Sequence, residues 1–155
     1  MEESISILSS LYLPVAGGSL VLPNVSVAEI VDYQTPETIP DAPEWFLGTI
    51  RWRGVTLPVV SYEQLNNTPL PDSLNNTRIA VINTIGKDHA SLPFFAIVTQ
   101  GIPRQTKIDQ DNIKEIEDEK ELGPADLMKV SIMGDEAVIP NVEYVENMIV
   151  QHRPA

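Results

Sequence analysis

Few side chains in this sequence have the type and spacing to do chemistry. The two histidines are His89, in a predicted turn, and His152, near the end; neither sits in a ligand spacing with other donors. With no cysteine there is no thiol nucleophile, no disulfide and no Cys-ligated zinc or iron–sulfur site. No glycine-rich phosphate loop, dinucleotide fingerprint, nucleophile elbow or H-E-x-x-H helix is present. Carboxylates are abundant, and two of them could serve as a general acid and base. Seven fall in one run: Asp109, Asp111, Glu115, Glu117, Asp118, Glu119 and Glu121. Such a run is ordinarily a solvated face. A calcium loop would need glycine at the sixth position counted from Asp109, where Lys114 stands. The stretch that stands out is "GTIRWRG", Gly48 to Gly54, with Trp52 between Arg51 and Arg53. As a strand it puts Ile50 and Trp52 on one face and Thr49, Arg51 and Arg53 on the other. That makes Trp52 a core residue or an interface anchor and turns both arginines outward.

The elements that must position these residues are mostly short strands. Alternating Ile5, Ile7, Leu11, Leu13 and Val15 predict a first strand. Gly17-Gly18 then turns the chain into "SLVLP". "VSVAEIVDY", 25–33, fits either a strand or a helical turn. "QTPETIPDAPEW" is a proline-rich loop. "LGTIRWRG" and "VTLPVVSY" predict two strands broken at Gly54, and "EQLNNTPLPDSLNNT" a polar surface loop. "RIAVINTI" and "ASLPFFAIVTQ" predict a hairpin, and "LMKVSIMGDEAVIP" two strands around Gly134-Asp135. At the end the period changes: Val142, Val145 and Ile149 share a helical face, with Asn141 as N-cap and Glu143 in the first turn. "GVTLPVVSYE" and "EAVIPNVEYV" share an apolar-Pro-x-Val step followed by Tyr and Glu, an echo of two lobes of similar design.

At 155 residues the chain is long enough for a proper core in one domain or two small lobes. The formal charge of −12 argues against nucleic acid and anionic membranes as partners. No apolar run reaches the length of a spanning helix, and the acidic N-terminus lacks a signal peptide's basic region, so a cytoplasmic location is expected.

Taken together, "VSVAEIVDY" and "APEWFLGTIRWRGVTLPVVSYEQL" resemble the CheW-like family, the adaptors of bacterial chemosensory arrays. Val27, Glu29 and Ile30 match its first motif; Pro43, Gly48, Ile50, Arg53, Gly54 and Pro58 match its second. "RIAVIN", "FFAIVTQGI" and "AVIPNVEYV" fit its second half. Arg51-Trp52 replaces the family's Asn-Leu, and Ser61-Tyr62-Glu63 its Asp-Leu-Arg. In this the chain looks closer to the accessory CheW-like proteins of pilus-type systems than to the flagellar adaptor.

The resemblance implies an all-β fold of two five-stranded SH3-like barrels with short helices and a C-terminal helix, the lobes dividing as roughly 5–75 and 76–155. It implies no enzymatic activity and no cofactor. The implied partners are the regulatory domain of a CheA-type histidine kinase and the cytoplasmic tip of a chemoreceptor. Val27, Glu29 and Arg53 are the expected interaction residues, and Pro43, Gly48, Trp52, Gly54 and Pro58 the expected structural ones. Two other classes stay open on the residues alone: a small hydrolase with an Asp/Glu pair, and a barrel module binding a small ligand between its lobes.

Overall fold

The computed structural model describes residues 7–70, 76–117 and 122–153. Ile5, the middle of the polar loop and the acidic positions 118–121 lie outside the described residues. Among the described residues, eleven strands form two sheets. The first hairpin is β1 (Leu8–Val15) and β2 (Gly18–Pro23), and β3 (Val27–Asp32) follows a single 3-10 turn. Next come β4 (Phe46–Trp52), β5 (Val55–Val60) and the short helix α1 (Tyr62–Leu65). The second half holds β6 (Arg78–Asn83), β7 (Phe94–Thr99), β8 (Arg104–Ile108), β9 (Ile113–Ile116), β10 (Asp126–Ile132), β11 (Asp135–Pro140) and α2 (Val142–His152). Among the described residues no helix is long and apolar enough to cross a membrane.

The fold is mainly β, with two SH3-like lobes, but the sheets hold six and five strands. Their orders are β8-β1-β2-β11-β10-β9 and β3-β6-β7-β5-β4. The sixth strand, β9, comes from the segment expected to be only an exposed acidic surface. The division at residue 75 does not hold in space. β1 and β2 lie in the sheet of β8 to β11, while β3, β4 and β5 lie with β6 and β7.

What divides near residue 75 is a repeat. β4 and β10 each have seven residues and a bulge at their start, Phe46/Gly48 in one and Asp126/Met128 in the other. Each then turns through two left-handed residues, Arg53-Gly54 or Met133-Gly134. A six-residue strand and an N-cap follow, Ser61 or Asn141, whose side chain accepts from the backbone three residues on. Each last strand also runs parallel to a strand of the other repeat's hairpin: β5 to β7, and β11 to β2. Each repeat therefore lends its hairpin to the other repeat's sheet. The sequence echo is real but two residues out of register. Pro58 is structurally equivalent to Val138, and Pro140 to Val60.

This exchange explains why the central strands read as continuous apolar runs. Along β6, Ala80 and Ile82 face the core between the sheets, while Ile79 and Val81 face the core inside the five-stranded lobe. Along β2, Leu20 and Leu22 join the shared core and Val21 the core inside the six-stranded lobe. Strands buried on both faces lose the apolar–polar alternation of half-buried ones. The α2 residues Val145 and Ile149 close the shared core, as the helical period predicted.

Two buried carboxylates fasten the lobes. Glu63 of α1 accepts from the Ala16 N–H in the β1–β2 turn at 2.9 Å and from the Ser61 hydroxyl at 3.3 Å. Glu146 of α2 accepts from the Ile85 and Gly86 N–H groups after β6, both at 2.8 Å. In each repeat the closing helix thus holds the connection of that repeat's hairpin, which sits in the opposite sheet.

Candidate functional site

The "GTIRWRG" stretch forms the end of β4 and the turn into β5. Trp52 pairs with Val55, leaving a two-residue loop with φ of +48° at Arg53 and +76° at Gly54. Positive φ at both positions is the hairpin turn whose twist matches that of the strands. Gly54 enters this conformation freely, while at Arg53 it costs about 1 kcal/mol. Arg53 is therefore exposed because it sits in the turn, not because of strand alternation. Only Arg51, exposed on β4, follows the alternation rule.

The turn folds Arg53 back over Trp52, with its guanidinium carbon 5.2 Å from the ring centroid. It also meets Glu29 of β3: Nε donates to Glu29 Oε1 at 3.2 Å, and Nη2 lies 3.1 Å from the same oxygen. The Trp52 Nε1–H donates to that oxygen too, at 2.8 Å. Phe94 packs edge-on against the other part of the ring, with centroids 5.0 Å apart. Trp52 is thus half-buried, with its indole N–H committed to Glu29, rather than a fully buried core residue. The Arg53 side chain is 69% exposed. A pair so solvated contributes only about 0–1 kcal/mol to folding. Its physical consequence is order: one donor edge of the guanidinium is fixed, and Nη1 has no partner among the described residues.

The other expected positions fall around this cluster. A bulge at Val27/Glu29 separates the first pair. Val27 packs at the shared core while Glu29 reaches the turn, so the structure gathers Glu29 and Arg53 but not Val27. The Pro43 carbonyl accepts the Phe46 N–H at 3.0 Å, setting the entry to β4. Gly48 has φ +139°, and a Cβ there would lie 2.1 Å from the Glu37 carbonyl oxygen; Glu37 exchanges two backbone bonds with Thr49 beside it. Pro58 is half-buried opposite Thr49 in β5.

A cleft of about 250 Å³ lies between the β1–β2 turn, α1 and β10, and both Glu63 and Asp126 line it. Their carboxylates are already engaged. Asp126 accepts from the Tyr62 hydroxyl, from Asn66 Nδ2 at 2.8 Å and from the Gly123 N–H at 2.8 Å. Burial first, and then the bond to Asp126, push the Tyr62 pKa far above its usual value. This is a satisfied structural network with no unpaired carboxylate to act as base. In the acidic run, Asp109 Oδ1 accepts from the N–H groups of Asp111 and Asn112, an ordinary turn. Among the described residues no three His, Cys, Asp or Glu side chains gather as metal ligands.

The sequence pattern of the CheW-like domain family matches residues 10–148. The chain belongs to the CheW-like family. The CheW-like fold is also similar to the crystal structure of the scaffolding protein TtCheW from Thermoanaerobacter tengcongensis. The TM-score is 0.73 at 17% identity, over 87% of this chain and 89% of that one. No curated protein sequence matches the chain. Set on the CheW-like fold, the Glu29–Trp52–Arg53 cluster joins β3 to the β4–β5 turn and so closes the five-stranded lobe. Sequence reasoning missed that Trp52 is a hydrogen-bond donor in this cluster. Its one signal was an indole spaced next to an outward arginine. It also missed buried Glu63 and Glu146, whose neighbours give no sign of the turns they hold.

Proposed function

We propose that this CheW-like protein is a non-enzymatic adaptor that couples the helical cytoplasmic tip of a chemoreceptor to the regulatory domain of a CheA-type histidine kinase. The observation that carries the reading is the Glu29–Trp52–Arg53 cluster. A solvent-facing guanidinium is held in one orientation by a carboxylate and an aromatic face, at the cost of a left-handed arginine. Folding has little use for that arrangement, whereas recognition benefits from a pre-ordered planar fork. Glu29 is the positioning residue and Arg53 the contact; Val27, at the rim of the shared core, supports β3 beneath them. The Arg51-Trp52 pair and Ser61-Tyr62-Glu63 favour a pilus-type system over a flagellar one. Binding of the kinase regulatory domain and of the receptor tip to wild type, Arg53→Glu and the distant control Lys107→Glu tests the reading. Arg53→Glu weakens at least one partner by about tenfold or more while Lys107→Glu does not. Equal affinities across all three proteins for both partners overturn it.

A further inference from the structure

The exchange of hairpins does not require both repeats to belong to one chain. Four strand pairings join the first repeat to the second: β1 with β8, β2 with β11, β3 with β6, and β5 with β7. Neither repeat completes a sheet by itself. Polar ties also cross between the repeats. The Tyr62 hydroxyl donates to the Ala125 carbonyl at 2.8 Å, the Ala125 N–H to Asn66 Oδ1 at 2.7 Å, and Asn83 Nδ2 to the Val25 carbonyl at 3.0 Å. Each of these contacts forms equally well between repeats of two different copies, because none of them uses the covalent joint.

The joint is what distinguishes the two arrangements. It leaves α1 after Leu65 and enters β6 at Arg78. Its described residues bend through left-handed backbone on both sides, with φ of +63° at Asn67 and +60° at Asn76. Asparagine enters that region more easily than most residues but less freely than glycine. The crowding is present in the closed monomer and is released when the joint extends. A strained hinge invites two copies to exchange an identical element.

We infer that two copies of this chain exchange repeats, giving a dimer in which each globule joins the first repeat of one copy to the second repeat of the other. The second copy fits because the surface it pairs with is the one the fold already uses. Trp52 lies in the first repeat and Phe94 in the second, with ring centroids 5.0 Å apart. In the dimer the other copy's Phe94 therefore supports the Glu29–Trp52–Arg53 cluster, and one particle displays two such clusters. Two linked sites bind a multivalent partner more tightly than either does alone. The inference rests on strand pairing and does not depend on the Arg53 reading.

The test places cysteine pairs in a chain that has none of its own. Ser9 and Lys107 are exposed and stand opposite each other on β1 and β8, one in each repeat. The Lys107 carbonyl turns away from β1 to accept from Asn112 Nδ2 at 2.9 Å, so the two form a non-hydrogen-bonded pair, whose side chains lie closest. Arg51 and Thr56, exposed and opposite each other within the first repeat, are the control. Each variant is refolded from urea at high protein concentration, in salt that screens the repulsion between two chains of charge −12. Monomer and dimer are then separated by size exclusion with light scattering, oxidised, and run on a denaturing gel without reductant. The Ser9→Cys/Lys107→Cys dimer stays covalently double, its monomer stays single, and the Arg51→Cys/Thr56→Cys dimer falls to single chains. Asn67→Ala/Asn76→Ala raises the dimer-to-monomer ratio by about threefold or more, and Asn67→Gly/Asn76→Gly lowers it. The asparagine variants carry the test if the cysteine pair fails to close. Monomer alone under all conditions, a dimer whose Ser9→Cys/Lys107→Cys bonds lie within single chains, or a ratio unmoved by the asparagine changes overturns the inference.

Discussion

Removing the Glu146 carboxylate separates the packing of the shared core from the tie that locks its two sheets. Glu146 is buried to 1% exposure, and both oxygens accept backbone N–H bonds from the connection after β6. Glu146→Ala leaves two donors without partners and a gap beside Gly86, whose missing Cβ would stand 2.7 Å from the Glu146 Oε1 position. A hydrogen bond to a charged group contributes about 1.5–3 kcal/mol, and water entering the gap recovers part of that. The expected loss is about 3 kcal/mol, or roughly 6–12 °C in melting temperature for a chain of this size. Glu146→Gln offers one acceptor but turns an NH2 toward the second N–H, so it recovers less than half of the loss. Glu143→Ala, on the exposed face of the same helix, shifts stability by no more than about 0.5 kcal/mol. Urea unfolding with a constant m-value, alongside thermal melting, measures all three. If Glu146→Ala lies within about 1 kcal/mol of wild type, the carboxylate is not the tie described, and the sheets are held by apolar packing alone.

Tyr62, with its pKa raised by burial and the bond to Asp126, keeps its proton in the folded state above about pH 10, where an unfolded tyrosine ionises. Its contribution is complete below that value and is lost as pH rises beyond it, so Tyr62→Phe flattens the alkaline fall in stability, read by pH-dependent melting. Arg53→Gly relieves the left-handed arginine and melts at or slightly above the wild-type temperature, a gain of about 0.5–1 kcal/mol at most. Gly48→Ala forces a Cβ into the Glu37 carbonyl and costs more than about 2 kcal/mol, or fails to fold.

The strands and left-handed turns of both repeats and the capped helix of the second were legible because each follows a local rule, whereas Ser61 and the short helix α1 read as the end of a strand and a polar loop. Gly54 and Gly134 mark the turns, Asn141 the cap of α2, and Val142, Val145 and Ile149 its helical face. The exchange of hairpins was not legible, because pairing partners far apart in the chain leave no mark on local periodicity. β8 and β9 were missed for a related reason. "RQTKI" and "IKEI" form the two edges of the six-stranded sheet and expose charged side chains, so they read as solvated surface. At the candidate site, sequence pointed to Glu29 and Arg53 separately through the family motifs. Their meeting at one oxygen depends on the bulge in β3 and the positive φ of Arg53, which only the folded backbone reveals.

The central claim is that Arg53 serves recognition and not folding. The most direct measurement is calorimetric titration of wild type and Arg53→Gly with the kinase regulatory domain and the receptor tip, alongside thermal melting of both proteins. The account predicts a variant at least as stable as wild type whose affinity for one partner or both falls by about tenfold or more. A variant that melts well below wild type, or one that binds both partners as tightly as wild type does, contradicts it.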